Sequence, residues 1–182
     1  MQAWTRVDNG DNTIELPYRT VVTKRFIKND GGEMLATVFD KDNNAGAFIV
    51  ALDDDNMVII ARQYRCGPEM VMDELPGGVV DAHEQPEETA IRELREETGY
   101  EATRIEYVGK AYVNPWNNTT HFYYLGLGSK RVGEPKNIEI DEETDVVRIS
   151  ISELINNAKN AKMCDVQAVF LAYDKLKELE GK

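Results

Sequence analysis

The sequence is short of the residues that cross-link small proteins. It has two cysteines, Cys66 and Cys164, far apart in the chain, and two histidines, His83 and His121, with no cysteine pair beside them. That spacing offers neither a disulfide framework nor a zinc pattern, and two free thiols suit a reducing cytosol. No apolar run approaches the ~20 residues of a membrane span. Residues 1–9 hold no apolar core of signal-peptide length. The chain therefore reads as soluble and cytoplasmic, with no membrane partner. Positive charge is scarce as well: 21 Lys and Arg stand against 33 Asp and Glu, a formal net charge of −12. Affinity for nucleic acid comes largely from cations that neutralise phosphates, so this balance argues against a nucleic-acid partner. For a small phosphate substrate it sets a condition: local arginines, lysines or metal ions must reverse the field.

What remains is 182 residues, 42% of them hydrophobic, enough to bury a core without staples. Early strands are expected at 14–16, 20–27 and 32–39, with Asn29-Asp30-Gly31-Gly32 as the hairpin turn between the last two. A polar stretch at 40–46 suggests a border between an N-terminal strand unit, residues 1–40, and a main domain, residues 41–182. Apolar runs at 47–52 and 57–62 flank Asp53-Asp54-Asp55-Asn56. Without a loop glycine and a glutamate at calcium-loop spacing, that acidic tract reads as a solvated turn. Further strands are expected at 71–75, 105–113, 121–127 and 146–149. Helices are expected at 151–158, capped by Ser150 or Ser152, and at 166–179, where Val166, Val169, Phe170, Tyr173, Leu176 and Leu179 form one apolar stripe. Strands, a helix, more strands and more helices make an α/β chain with a mixed sheet and helices on its faces.

The clearest helix covers residues 87–98. Pro86 fits its first position, acidic residues fill its first turn and Gly99 stops it. Ala90, Ile91, Leu94 and Thr98 share a face that should pack on the sheet. Glu93, Glu96 and Glu97 lie three and four apart, so 100° steps align them in one acidic stripe. Like charges at that spacing repel by a few tenths of a kcal/mol per pair, on the order of the gain from an opposite pair. A hard divalent cation relieves the repulsion and takes oxygen ligands. Arg92 and Arg95 can pair with the glutamates and hold their rotamers. Just upstream, Pro76-Gly77-Gly78 lets the backbone approach a ligand closely, with a carbonyl as a further donor.

Gly78, five residues, Glu84, seven residues, then Arg92-Glu93-Leu94-Arg95-Glu96-Glu97-Thr98-Gly99-Tyr100 is a long pattern with seven fixed Gly, Glu and Arg positions. Its chance occurrence at one register is on the order of 10⁻⁸ from residue usage. The pattern resembles the Nudix box and departs from it only in Tyr100, where an aliphatic residue is usual. The resemblance implies an α/β/α sandwich with a mixed sheet, here with an added N-terminal antiparallel strand unit. It implies Mg²⁺ as cofactor, with Mn²⁺ the alternative, held by Glu93, Glu96, Glu97 and the Gly77 carbonyl. Glu96 and Arg92 would then act in catalysis, Arg92 by orienting a glutamate, and Glu84 would brace the loop.

Arg62-Gln63-Tyr64-Arg65, then Glu74-Leu75-Pro76-Gly77-Gly78, and Pro115 fifteen residues past Tyr100, look like the ADP-ribose pyrophosphatase branch. That likeness implies Arg65, Arg62, Glu74 and Pro115 as substrate-binding residues; an aromatic ring can sandwich a purine, which makes Trp116, Tyr64 and Tyr18 candidates for binding the base. A late acidic loop supplies a general base in this branch, which points to Glu142 and Glu143. Relatives often exchange N-terminal strands, which implies a homodimer. The expected reaction is hydrolysis of ADP-ribose, or another nucleoside diphosphate sugar, to a nucleoside monophosphate and a sugar phosphate. The rival expectations are another nucleotide substrate on the same fold and a non-catalytic nucleotide sensor; the complete set of box glutamates weighs against the sensor.

Overall fold

In the computed structural model, residues 1–16, 19–39, 45–136 and 144–181 are described. The strands are β1 (Thr5–Leu16), β2 (Arg19–Ile27), β3 (Glu33–Phe39), β4 (Ala45–Asp53), β5 (Val58–Arg65), β6 (Met70–Glu74) and β7 (Gly77–Val79). Helix α1 (Pro86–Thr98) follows, then β8 (Tyr100–Glu101), β9 (Arg104–Tyr112), β10 (Thr120–Arg131), β11 (Thr144–Ile149), α2 (Ile151–Lys159) and α3 (Val166–Glu180). These elements fall into two compact units.

The first unit comprises residues 1–44 and 112–120. It is a three-stranded antiparallel sheet in the order β1-β2-β3. The expected turn closes β2 and β3: Lys28 N–H donates to the Gly32 carbonyl at 2.8 Å and Gly31 takes a φ of 81°. A stretch of 112–120 joins it through the bridge between Phe39 and Asn117.

The second unit comprises residues 45–111 and 121–182. Its strands belong to a mixed eight-stranded sheet with the spine β11-β5-β4-β10-β8, to which β6, β7 and β9 add. Alternation along β4 divides the core. Val50 and Leu52 pack with α2, α3, Tyr123 and Leu125. Ala47, Ile49 and Ala51 pack with Ala90 and Leu94 of α1. Helices therefore cover both faces, the α/β/α arrangement expected. The acidic turn is indeed solvated: Asp53 caps it by accepting from the Asp55 and Met57 amides, and Arg148 pairs with Asp53 and Asp55.

Three expectations need correction. The packed face of α1 contains Thr89, Ala90, Leu94 and Thr98, while Ile91 is exposed. On α3, Val169 and Leu176 of the expected stripe are buried and Leu179 packs on the core, but Val166, Phe170 and Tyr173 are exposed, and Ala168 and Ala172 complete the buried face. Close approach of the helix to the sheet selects the small side chains rather than the largest ones. Strands β7 and β8 were not anticipated, because a Gly-Gly-Val run and a two-residue strand carry little pattern. Among the described residues, no helix is long and apolar enough to cross a membrane.

Candidate active site

Helix α1 is set by local chemistry. Gln85 N–H donates to Glu88 Oε2 at 2.8 Å, half of a capping box, and Pro86 occupies the first turn. At the other end Gly99 adopts a φ of 73° and its N–H returns to the Arg95 carbonyl at 2.9 Å. Leu94 and Ala90 bury one side, which leaves Glu93, Glu96 and Glu97 half-buried along the flank.

Arg92 organises that flank. Its Nε and Nη2 donate to Glu84 Oε1 and Oε2 at 2.8 and 3.0 Å, a forked pair, and Thr89 Oγ1 donates to the same carboxylate at 2.6 Å. These bonds, Arg92 first, hold the Glu84 carboxyl down at about 2. The expected brace of the loop is thus present. Arg92 Nη1 reaches Glu93 Oε1 at 2.8 Å and Glu96 Oε2 at 3.3 Å. Burial nevertheless pushes Glu93 upward, against Arg92. Glu96 is held low chiefly by Lys136, whose Nζ donates at 2.9 Å. Arg95 does not serve the stripe; it pairs with Glu101 at 2.8 Å.

The Gly77-Gly78 strand meets this flank. Ile49 N–H donates to the Pro76 carbonyl and Val80 N–H to the Ala45 carbonyl, which fixes the phase of the β4–β7 ladder. Antiparallel alternation then turns both polar groups of Gly77 away from β4. Its N–H donates to Glu97 Oε2 at 3.0 Å, and its carbonyl is directed off the ladder. A Cβ on Gly77 would collide with Phe48 and the Ala47 carbonyl, and one on Gly78 would land on the Glu93 carboxylate. Gly77 is required by its approach to backbone, whereas a side chain at Gly78 would displace only the Glu93 carboxylate.

Strand β5 sorts its arginines by face. Residues 61, 63 and 65 point one way and 62 and 64 the other. Ile59, in phase with the first set, packs with α1, and Val58 and Ile60 pack with α2 and α3. Arg65 forks onto Glu74, which also accepts from Gln63 Nε2 at 3.2 Å. Arg62 instead donates from Nε to buried Asp73 at 2.6 Å, and Asn157 of α2 holds the other Asp73 oxygen at 2.8 Å. The two arginines expected to act together are therefore on opposite faces, and Arg65 shares the face of α1. Tyr64 lies on the Arg62 face and is 56% exposed.

Pro115 and Trp116 belong to the first unit. There Tyr112, Asn114, Pro115 and Asn117 line a cavity of about 440 Å³, and Trp116 is half exposed. The Asn114 side chain accepts from the Trp116 amide at 2.8 Å, fixing the turn. Tyr18, Glu142 and Glu143 lie outside the described residues.

The family pattern implies a divalent cation on α1. Three carboxylates and a free-pointing carbonyl are hard oxygen donors, the type that Mg²⁺ selects. Among the described residues no three acidic side chains already converge, since Arg92 engages Glu93 and Glu96 and the Gly77 amide engages Glu97. Mg²⁺ needs only one or two carboxylates and keeps several waters, so the donor set fits without a closed cage. Burial raises Glu93 although Arg92 is bonded to it, and the like charges of Glu96 and Glu84 add to the rise. Sequence reasoning did not single out Lys136 or Asp165. Lys136 lies 40 residues from Glu96 with no motif around it, and Asp165 reads simply as a residue preceding a helix.

Comparison with known proteins identifies the family and the fold. The family description "NUDIX domain" matches residues 42–172. The ADP-ribose pyrophosphatase of Bacillus subtilis (strain 168) is 26% identical over 167 residues, covering 91% of this chain and 83% of that protein. The GDP-mannose pyrophosphatase of Cronobacter sakazakii is 27% identical over 144 residues, covering 74% and 73%. A crystal structure described as an ADP compounds hydrolase superposes with a TM-score of 0.80 at 23% identity, covering 98% of this chain and 97% of that one, which shows a common fold. The chain belongs to the Nudix family and is a hydrolase that acts on a pyrophosphate bond.

Proposed function

We propose that this protein is a Mg²⁺-dependent pyrophosphohydrolase that cleaves ADP-ribose, or a related nucleoside diphosphate sugar, to a nucleoside monophosphate and a sugar phosphate. The observation that carries the reading is the meeting of the Gly77 amide with Glu97 beside an acidic stripe ordered by Arg92. Glu93, Glu96, Glu97 and the Gly77 carbonyl would hold the cation. When bound, the cation neutralises the diphosphate and lowers the pKa of the attacking water. Arg92 orients Glu93 and Glu96 and is itself held by Glu84. Arg65, whose guanidinium is a fork already matched to carboxylate oxygens, exchanges Glu74 for a phosphate. Arg62, locked to Asp73, supports the sheet end instead. Glu142 or Glu143 takes the proton of the attacking water. Pro115 and Trp116 contribute to the base subsite, and a homodimer formed through the N-terminal sheet completes the assembly.

The two curated relatives act on ADP-ribose and on GDP-mannose by name, which frames the substrate choice. A panel of ADP-ribose, GDP-mannose, UDP-sugars, dinucleoside polyphosphates and nucleoside triphosphates, in millimolar Mg²⁺ with an EDTA control, tests the reading. Metal-dependent release of AMP, GMP or UMP from a diphosphate sugar is the expected result. Turnover of triphosphates alone, or no turnover by folded protein, contradicts it.

A further inference from the structure

A buried carboxylate behind the site is not used by the proposed chemistry. Asp165 directly precedes α3, where such a residue ordinarily caps its own helix by accepting from the first-turn amides. Here its side chain makes no such bond. The residue is 8% exposed, and Oδ2 accepts from the Leu75 N–H, 90 residues away, at 3.1 Å.

The backbone around Leu75 explains why that bond matters. The chain leaves its pairing with β5 at Glu74 and takes up pairing with β4 at Gly77. In the two residues between, Pro76 has no N–H, so Leu75 supplies the single backbone donor. Asp165 takes that donor, Ile49 takes the Pro76 carbonyl at 3.0 Å, and Glu97 takes the Gly77 amide at 3.0 Å. Three successive residues are pinned in turn from the residue before α3, from β4 and from α1.

The setting is costly for a charge. Burial, then Glu74, pushes Asp165 up to about 7, against the Leu75 amide and Arg65. The groups that face it are Glu74 from β6, Arg65 from β5, Tyr123 from β10 and its neighbour Cys164, whose thiol burial raises to about 11. A carboxylate retained at that cost has a position to hold.

We propose that Asp165 is a positioning residue of the hydrolytic site, fixing Leu75 so that the Gly77 amide meets Glu97 and the Gly77 carbonyl faces the metal position. This inference rests on the metal-hydrolase reading of α1. It assigns to the start of α3 a direct hold on the metal-bearing loop.

The test uses the full-length, ¹⁵N-labelled chain with Asp165→Asn, which keeps an oxygen acceptor without the charge, and Asp165→Ala, which removes the acceptor. In metal-free parent protein taken from pH 5.5 to 8.5, the Leu75 and Gly77 amide resonances should move with one midpoint near the about 7 of Asp165, and Asp165→Asn should flatten both. Calorimetric Mn²⁺ binding should weaken about tenfold in Asp165→Ala, the usual size of a support removed from behind a metal ligand. Should Asp165→Ala not fold, the parent and Asp165→Asn spectra decide alone. A Leu75 resonance that titrates while Gly77 stays still overturns the proposal, as does Mn²⁺ affinity in folded Asp165→Ala equal to the parent's. Absence of nucleotide hydrolysis with the coupled amide response intact would refute the hydrolase reading instead.

Discussion

The amide of Gly77 donates to Glu97 Oε2 at 3.0 Å, joining the glycine strand to the acidic helix across 20 residues of chain. The bond has two effects. It turns a carboxylate toward the loop at the point where the Gly77 carbonyl leaves the β4 ladder, and it fixes the distance between two sets of oxygen donors. Glycine is needed because Phe48 and the Ala47 carbonyl fill the space a Cβ would occupy.

Gly78→Ala separates fold from site. The added methyl meets the far end of the Glu93 side chain rather than backbone, so the fold can accommodate it by moving that carboxylate. The variant should keep a melting temperature within a few degrees of the parent, on the order of a 1 kcal/mol change. Its Mn²⁺ affinity should fall about tenfold or more. Calorimetric titration checks this, and parent-like affinity would remove Glu93 from the metal position.

The opposite placement of Arg62 and Arg65 gives opposite phenotypes. Arg65→Lys loses the fork that matches phosphate and should raise KM for the diphosphate sugar about tenfold, with stability nearly unchanged. Arg62→Met strips a partner from buried Asp73 and should cost about 2 kcal/mol in urea unfolding, with KM preserved. Steady-state kinetics beside denaturation curves distinguish the two.

Glu84 should make stability depend on pH in the acid range. Its folded carboxyl is depressed to about 2 by Arg92 and then Thr89, below the ordinary value of 4.5. Between these values the unfolded chain binds the proton and the folded one does not, so stability is gained as pH rises. The contribution is complete above about 4.5 and is lost as pH falls through about 2. Glu84→Gln should be less stable than the parent at pH 6, and the gap should close toward pH 2. Urea midpoints measured across that range check it; a gap independent of pH would contradict the ion-pair account.

Legibility in the sequence followed the range over which the forces act. Helix α1 was readable because caps, period and motif are all local, and so were Glu84 and Arg92, which bond across eight residues at the helix start. The bond from Gly77 to Glu97 needed β7, and β7 exists only because β4 pairs with it; nothing in Gly-Gly-Val signals a strand. Arg95 carried the same charge and helix as Arg92 yet turned to Glu101, a choice made by the neighbouring strand β8. On α3, Val169 and Leu176 of the apolar stripe are buried, whereas Phe170 is exposed and Ala168 and Ala172, outside the stripe, let that helix come close to the sheet. Asp165 was the least visible, since its partner lies 90 residues away and its own neighbourhood suggests only a helix start.

The most direct test compares AMP release from ADP-ribose by the parent and by Glu97→Gln, at saturating Mg²⁺ and again in EDTA. The account predicts release by the parent that EDTA abolishes, and a loss of about a hundredfold or more in Glu97→Gln with its circular dichroism unchanged. Glu97→Gln turning over at near the parent rate, or a parent rate that EDTA leaves intact, would contradict it.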